Sequence, residues 1–263
     1  MYIDFHTHAF ADSIAHKAIS RLESVSGLKA YTDGTVEGLR KILEEDNIDK
    51  AVYLPIATKP SQQKAINGIS AELNSDNLIC FGSIHPDSTD AEDELERIKA
   101  LGLKGIKFHP DYQDFFVEDP KMFHIYKKCE ELGLIVVFHA GFDPLSPDVI
   151  HCLPEPSAKI AKAFPDLKIV LAHLGGMYRF DDVYKYVAGI DNIWLDTAFL
   201  ASHISNEELE RIIRKHGADR VLLGSDVPWQ RPTDAVRQVK GLNLSDAEKE
   251  MIFHISAERL LGI

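Results

Sequence analysis

Eight short runs rich in β-branched and aromatic residues recur along the 263-residue chain, separated by stretches whose apolar residues fall three and four positions apart. The runs are Tyr2 to His6, Lys50 to Leu54, Leu78 to Ile84, Gly105 to His109, Leu134 to His139, Lys168 to His173, Asn192 to Asp196 and Val221 to Gly224. Between them, helical patterns cover Thr35 to Asp46, Ser61 to Leu73, Asp90 to Leu101, Pro120 to Leu132, Pro156 to Phe164, Phe180 to Val187 and Asn206 to Lys215. Each crossover returns the chain to the same end of the sheet, so the strands must be parallel. Eight such units predict a single α/β domain over residues 1–263. The expected fold is a distorted, TIM-like (β/α)8 barrel with extra C-terminal helices around Thr233 to Val239 and Ser245 to Leu261. An open doubly wound sheet is the rival. Gly102 and Gly133 stand where helices stop, and Pro120 where a first turn tolerates proline. Asp143 to Pro156 carries four prolines and reads as a long loop over one barrel end.

Composition narrows the partners. Acids outnumber bases 41 to 29, a formal net charge of -12, and no basic cluster stands against that excess. Nucleic acid and anionic membranes are therefore not expected. Cys80, Cys129 and Cys152 lie far apart, a spacing that suits a reducing compartment better than disulfides or a cysteine zinc site. No apolar run approaches the roughly 18 residues of a membrane span. No basic segment followed by an apolar stretch opens the chain, so a cytoplasmic location is expected.

The histidines fall at one end of the predicted strands. His6 and His8 close the first, His109 the fourth, His139 the fifth and His173 the sixth, while Asp226 follows the eighth. In a parallel barrel these ends form one rim, where active sites are built. One residue separates His6 from His8, so alternation puts both imidazoles on the same face and within reach of one metal ion. Asp4 is expected on that inward face too, either hydrogen-bonded below the metal or satisfying the barrel floor. Small residues follow His139 and His173, Ala140 and Gly141 after the first and Gly175 with Gly176 after the second, which leave the rim open. Asp226 reads either as a turn aspartate or as the carboxylate completing a metal site.

His6-Thr-His8, His139, His173-Leu-Gly-Gly and Gly224-Ser-Asp226-Val-Pro together resemble the amidohydrolase superfamily. The nearest branch is the amidohydrolase-related group that includes aminocarboxymuconate semialdehyde decarboxylase. The resemblance runs from residue 3 to the end and includes Ser256-Ala-Glu-Arg-Leu-Leu-Gly. It implies a divalent metal held by His6, His8, His139 and Asp226, commonly zinc, with manganese or another divalent ion as alternatives. It also implies that His173 stands beside the metal-bound water as a proton carrier. Other branches hold two metals bridged by a carboxylated lysine, for which Lys107 occupies the corresponding strand. One ion is the expectation here, with Lys107 and His109 either serving a second metal or contacting substrate.

Such a site activates water and polarises a carbonyl. The expected activity is hydrolysis of a small amide, lactone or ester, with His173 and Asp226 moving protons. The alternatives are metal-dependent non-oxidative decarboxylation and a catalytically silent metal- or ligand-binding barrel. Preference for hydrolysis rests on the breadth of the superfamily. Tyr112, Gln113, Phe142, Tyr178, Arg179, Trp229 and Arg231 follow the strand ends as candidate substrate contacts. The two arginines suit a substrate carboxylate. The expected partner is a small molecule, and self-association is left open.

Overall fold

The computed structural model describes residues 1–263. Its strands are β1 (Ile3–Thr7), β2 (Lys50–Tyr53), β3 (Leu78–Cys80), β4 (Gly105–Phe108), β5 (Ile135–Phe138), β6 (Lys168–Leu171), β7 (Ile193–Asp196) and β8 (Val221–Leu222). All pairings are parallel, in one group ordered β1-β2-β3 and another ordered β4-β5-β6-β7-β8.

Two seams join the groups into a ring. At the first, the Gly82 amide donates to Gly105 O at 2.8 Å and the Lys107 amide to Gly82 O at 2.9 Å. At the second, the Phe5 amide donates to Leu223 O at 2.7 Å, Asp226 to His6 O at 2.9 Å and His8 to Val227 O at 2.8 Å. The chain is thus a (β/α)8 barrel, as expected, and the open sheet is excluded. No helix is long and apolar enough to cross a membrane.

The helices are α1 (Asp12–Ser26), α2 (Val36–Glu45), α3 (Gln63–Leu73), α4 (Ala91–Ala100), α5 (Pro110–Gln113), α6 (Phe123–Leu132), α7 (Pro154–Ala163), α8 (Phe180–Asp182), α9 (Asn206–His216), α10 (Pro232–Gly241), α11 (Asp246–Glu250) and α12 (Ser256–Leu261). Local chemistry sets their ends. Thr35 caps α2 by accepting from the Gly38 amide, and Ser245 forms a reciprocal capping box with Glu248. Gly133 ends α6 in the left-handed conformation that its missing Cβ permits.

The apolar residues divide into two layers. Val52, Ile79, Val137 and Val170 fill the barrel interior with Ile3 and Phe5, and Leu260 and Leu261 of α12 plug its floor. Tyr53, Val136, Phe138 and Leu171 face outward against the helices. Strict alternation fails in β1, whose register against β2 shifts between Asp4 and Thr7. This irregularity lets Ile3 and Phe5 pack inside the barrel while His6 still reaches the rim. Asp4 consequently does not share a simple alternating face with the histidines, and its carboxylate turns toward the strand-eight side.

Candidate active site

The Nε2 atoms of His6 and His8 lie 3.0 Å apart, with ring planes crossing at 74°. Asp226 Oδ1 stands 3.4 Å from the first and 3.3 Å from the second. Hydrogen bonds on the far side of each ring fix this convergence. His6 Nδ1 lies 2.7 Å from Asp196 Oδ2 and His8 Nδ1 lies 2.8 Å from Leu54 O. A carbonyl oxygen only accepts, so the network assigns the proton of His8 to Nδ1 and leaves the Nε2 lone pair facing inward. Burial, followed by the Lys107 charge, lowers the pKa of His6 well below its ordinary value and keeps that ring neutral. For Asp226, burial alone would raise the carboxyl, but the His8 hydrogen bond and the charges of His6 and His173 pull it below the usual range. Two lone pairs and a carboxylate oxygen converging at one point fit a divalent cation.

His139, the fourth residue of the ligand set that the resemblance implies, falls into a neighbouring group with His109 and Asp143. Asp143 Oδ2 lies 3.5 Å from His109 Nε2 and 3.8 Å from His139 Nε2. Here the rings are stacked, with centroids 4.1 Å apart and planes 11° from parallel. In-plane lone pairs of parallel rings do not converge, so this group suits a cation less well than the first. His139 Nδ1 meets His173 Nε2 at 3.0 Å, and His173 Nδ1 meets Ala198 O at 3.0 Å. The Ala198 carbonyl assigns a proton to His173 Nδ1, making His173 Nε2 the acceptor from His139 Nδ1. His139 Nε2 is then a buried lone pair without a hydrogen-bond partner.

Lys107 is buried with Nζ 3.4 Å from His6 Nε2. Burial pushes its pKa down to about 8 against the opposing pull of Asp196 and Asp226. Around this centre, two buried carboxylates hold the backbone. Asp196 accepts from the His173 and Ala198 amides at 2.8 and 3.0 Å as well as facing His6. Asp4 accepts from Ser225 Oγ at 2.5 Å, the Ser225 amide at 2.9 Å and the His6 amide at 3.1 Å, while burial raises its pKa to about 7. His173 and Asp226 have φ of +55° and +71°, outside the usual region for residues with a Cβ. Backbone strain of about 1–3 kcal/mol per residue is characteristic of functional sites.

These groups form the floor of a cavity of about 460 Å³, also lined by Tyr112, Phe142, Tyr178 and Trp229. The two arginines expected at the substrate do not line it. Arg179 pairs with Asp182 at 2.7 Å, one helical turn away, and Arg231 pairs with Asp46 at 2.5 Å, fastening α10 to α2. Gln113 is turned away as well, donating to Ala57 O and Ile84 O. Sequence reasoning passed over Asp196 and Asp143. Asp196 ends the seventh predicted strand, the position that singled out the histidines, whereas Asp143 lies in the proline-rich loop without a distinguishing signal.

A barrel whose first strand presents a His-x-His pair to an aspartate after its eighth defines the class of amidohydrolase-type barrels. The Amidohydrolase family model matches residues 3–263, and the chain belongs to that family, whose members are metal-dependent enzymes. It is 26% identical to 2-amino-3-carboxymuconate-6-semialdehyde decarboxylase of Dictyostelium discoideum, over 83% of this chain and 68% of that protein. Its fold is similar to that of 5-carboxyvanillate decarboxylase from Novosphingobium aromaticivorans, solved with bound manganese and 3-methoxy-4-hydroxy-5-nitrobenzoic acid. That comparison gives a TM-score of 0.74 at 16% identity, covering 100% of this chain and 97% of the other. It is similar also to 2,6-dihydroxybenzoate decarboxylase from Rhizobium, with a TM-score of 0.71 at 17% identity, covering 99% and 98% of the two chains. These relatives overturn the expectation of hydrolysis, which rested mostly on superfamily breadth: all three are decarboxylases.

Proposed function

We propose that this protein is a metal-dependent, non-oxidative decarboxylase of a small carboxylic acid. The convergence of His6 Nε2, His8 Nε2 and Asp226 Oδ1 at the foot of the cavity carries the reading, and the decarboxylase relatives supply the reaction. These three residues would hold one divalent ion, with His139 in the neighbouring group beside Asp143 and its Nε2 free of any hydrogen bond. Two or three imidazoles with one carboxylate suit zinc, and manganese, present in the solved relative, suits the same donors.

When bound, the ion supplies Lewis-acid charge that neutralises the substrate anion and the negative charge developing as carbon dioxide leaves. The chain's own groups do the rest. Lys107, a buried cation beside His6, attracts the carboxylate into the cavity. His173, held between Ala198 O and His139, is the proton carrier, with Asp226 as the neighbouring carboxylate. The balance requires one proton per turnover: the C–COO⁻ bond breaks, its electron pair stays on carbon, and a proton takes the vacated place.

The test joins elemental analysis to parallel assays of carbon dioxide and released acid on a panel of carboxylated aromatic and enoic acids. About one metal equivalent and carbon dioxide release are expected, with at least a 10²-fold loss of turnover in His173→Asn while metal is retained. Asp226→Asn should lose both metal and turnover. Acid release without carbon dioxide would refute the proposal.

A further inference from the structure

The cavity separates its polar and apolar surfaces. Its floor carries His6, His8, His109, His139, His173, Lys107, Asp143 and Asp226, on strand ends or the loops that immediately follow, while His203 pairs with the exposed Tyr178 at the mouth. Its outer wall is built by other elements: Phe10 before α1, Ile14 and Leu22 on α1, Ile66 and Ile69 on α3, and Trp229 after β8. This wall continues to the surface. Ile14 is 52% exposed and Ile69 39% exposed although both line the cavity. Helix α1 buries only Ala15 and Ile19, so its remaining apolar residues serve the opening more than the core.

Charge gives the second half of the argument. Lys107 is the one Lys or Arg side chain among the lining residues, and it sits at the floor beside His6. Arg179 and Arg231 are engaged in ion pairs elsewhere. A substrate with a second carboxylate on its body would bring that charge against Phe10, Ile14, Leu22 and Ile69 without a counter-charge, at a desolvation cost that grows with the depth at which it lies. An apolar substituent there would be favoured by about fourfold for each methylene fully removed from water.

From this segregation we infer that the substrate is a monocarboxylic acid with an extended apolar body, its acid group at the histidine floor and its alkyl or similar tail along the α1–α3 wall. The inference names the substrate class for the decarboxylase reading and rests on it for the chemistry, but the binding it requires is separable from turnover.

The experiment uses the metal-loaded full chain and two matched series. Binding is measured by calorimetry with 5-alkylresorcinols bearing one-, three- and five-carbon chains, which cannot lose carbon dioxide. Turnover is measured as carbon dioxide release from the corresponding 2,4-dihydroxy-6-alkylbenzoates and from the dicarboxylate 5-carboxyvanillate. The expected result is a Kd that falls about two- to fourfold per methylene. The carbon dioxide kcat/KM should rise along the acids in parallel and be lower for 5-carboxyvanillate. Ile69→Glu and Ile14→Glu, both at exposed positions that folding tolerates, should flatten the binding slope. A Kd independent of chain length, a slope unchanged in both variants, or preference for the dicarboxylate would overturn the inference. A steep binding slope with no carbon dioxide from any acid would uphold the apolar subsite and refute the decarboxylase reading. Carbon dioxide release with a flat slope would do the reverse.

Discussion

Asp196 decides how His6 is presented. One carboxylate oxygen faces His6 Nδ1 at 2.7 Å, while the other accepts from the His173 and Ala198 amides. It therefore sets a ring tautomer on β1 and the backbone of the β6 loop together. Asp196→Asn should weaken metal binding by about 10- to 100-fold, because the ring that donates Nε2 loses its charged acceptor. Competitive chelator titration measures this, and an unchanged affinity would show that His6 needs no such partner. Arg231 makes the opposite point. Arg231→Met removes the partner of the buried Asp46, so stability should drop by about 1–2 kcal/mol with KM for the acid unchanged. Urea denaturation and steady-state kinetics separate the two effects, and a raised KM with intact stability would return Arg231 to the substrate. The histidines were legible in the sequence because strand periodicity and the rim rule place a side chain without knowledge of its neighbours. Arg179 and Arg231 were not legible: their roles depend on partners, and the partner of Arg231 lies on α2, far away in the chain.

At the level of elements, the strands and most helices follow from apolar periodicity, but α1 does not. Only Ala15 and Ile19 are buried in its fifteen residues, so the stripe that betrays a packed helix is missing. The β1 irregularity was equally hidden, since register depends on the neighbouring strand rather than on β1 alone. Elsewhere a single side chain ties elements together. His216, the last residue of α9, meets Ile193 O through Nε2 at 3.1 Å and accepts from the Gly189 amide through Nδ1 at 3.2 Å. Burial, then the nearby Arg220, lowers its pKa to about 4 from an ordinary 6.5. The folded chain therefore prefers the neutral ring. This contribution is fully present above pH 6.5 and is lost as pH falls toward 4, because the unfolded chain binds the proton first. The loss amounts to about 3 kcal/mol. In His216→Gln the stability deficit relative to the parent should shrink by that order between pH 7 and pH 4, as read by urea denaturation at each pH. A deficit that stays constant with pH would remove His216 from the acid response.

For the molecule as a whole, closure of the ring and construction of the site are one problem. His6 and His8 belong to the three-stranded group and Asp226 follows the five-stranded one, so the three donors face each other across the β8–β1 seam. Eight strands can be counted in the sequence and point to a ring, but the closure of that ring is not itself visible there. It is made by backbone hydrogen bonds such as Phe5 to Leu223 and by Asp4 reaching Ser225. A cation shared across the seam should hold it shut. At a free metal concentration 100 times Kd the linkage stabilises the bound state by about 2.7 kcal/mol, or roughly 100-fold in the opening equilibrium. Hydrogen exchange should then slow by that order at the Phe5, His8 and Asp226 amides when metal is added. The Ile169 amide, bonded to Asn192 O at the opposite end of the barrel, should change far less. Equal slowing at all four would mean that these amides exchange only through global unfolding, whereas no slowing at the first three would mean that the metal does not bridge the seam.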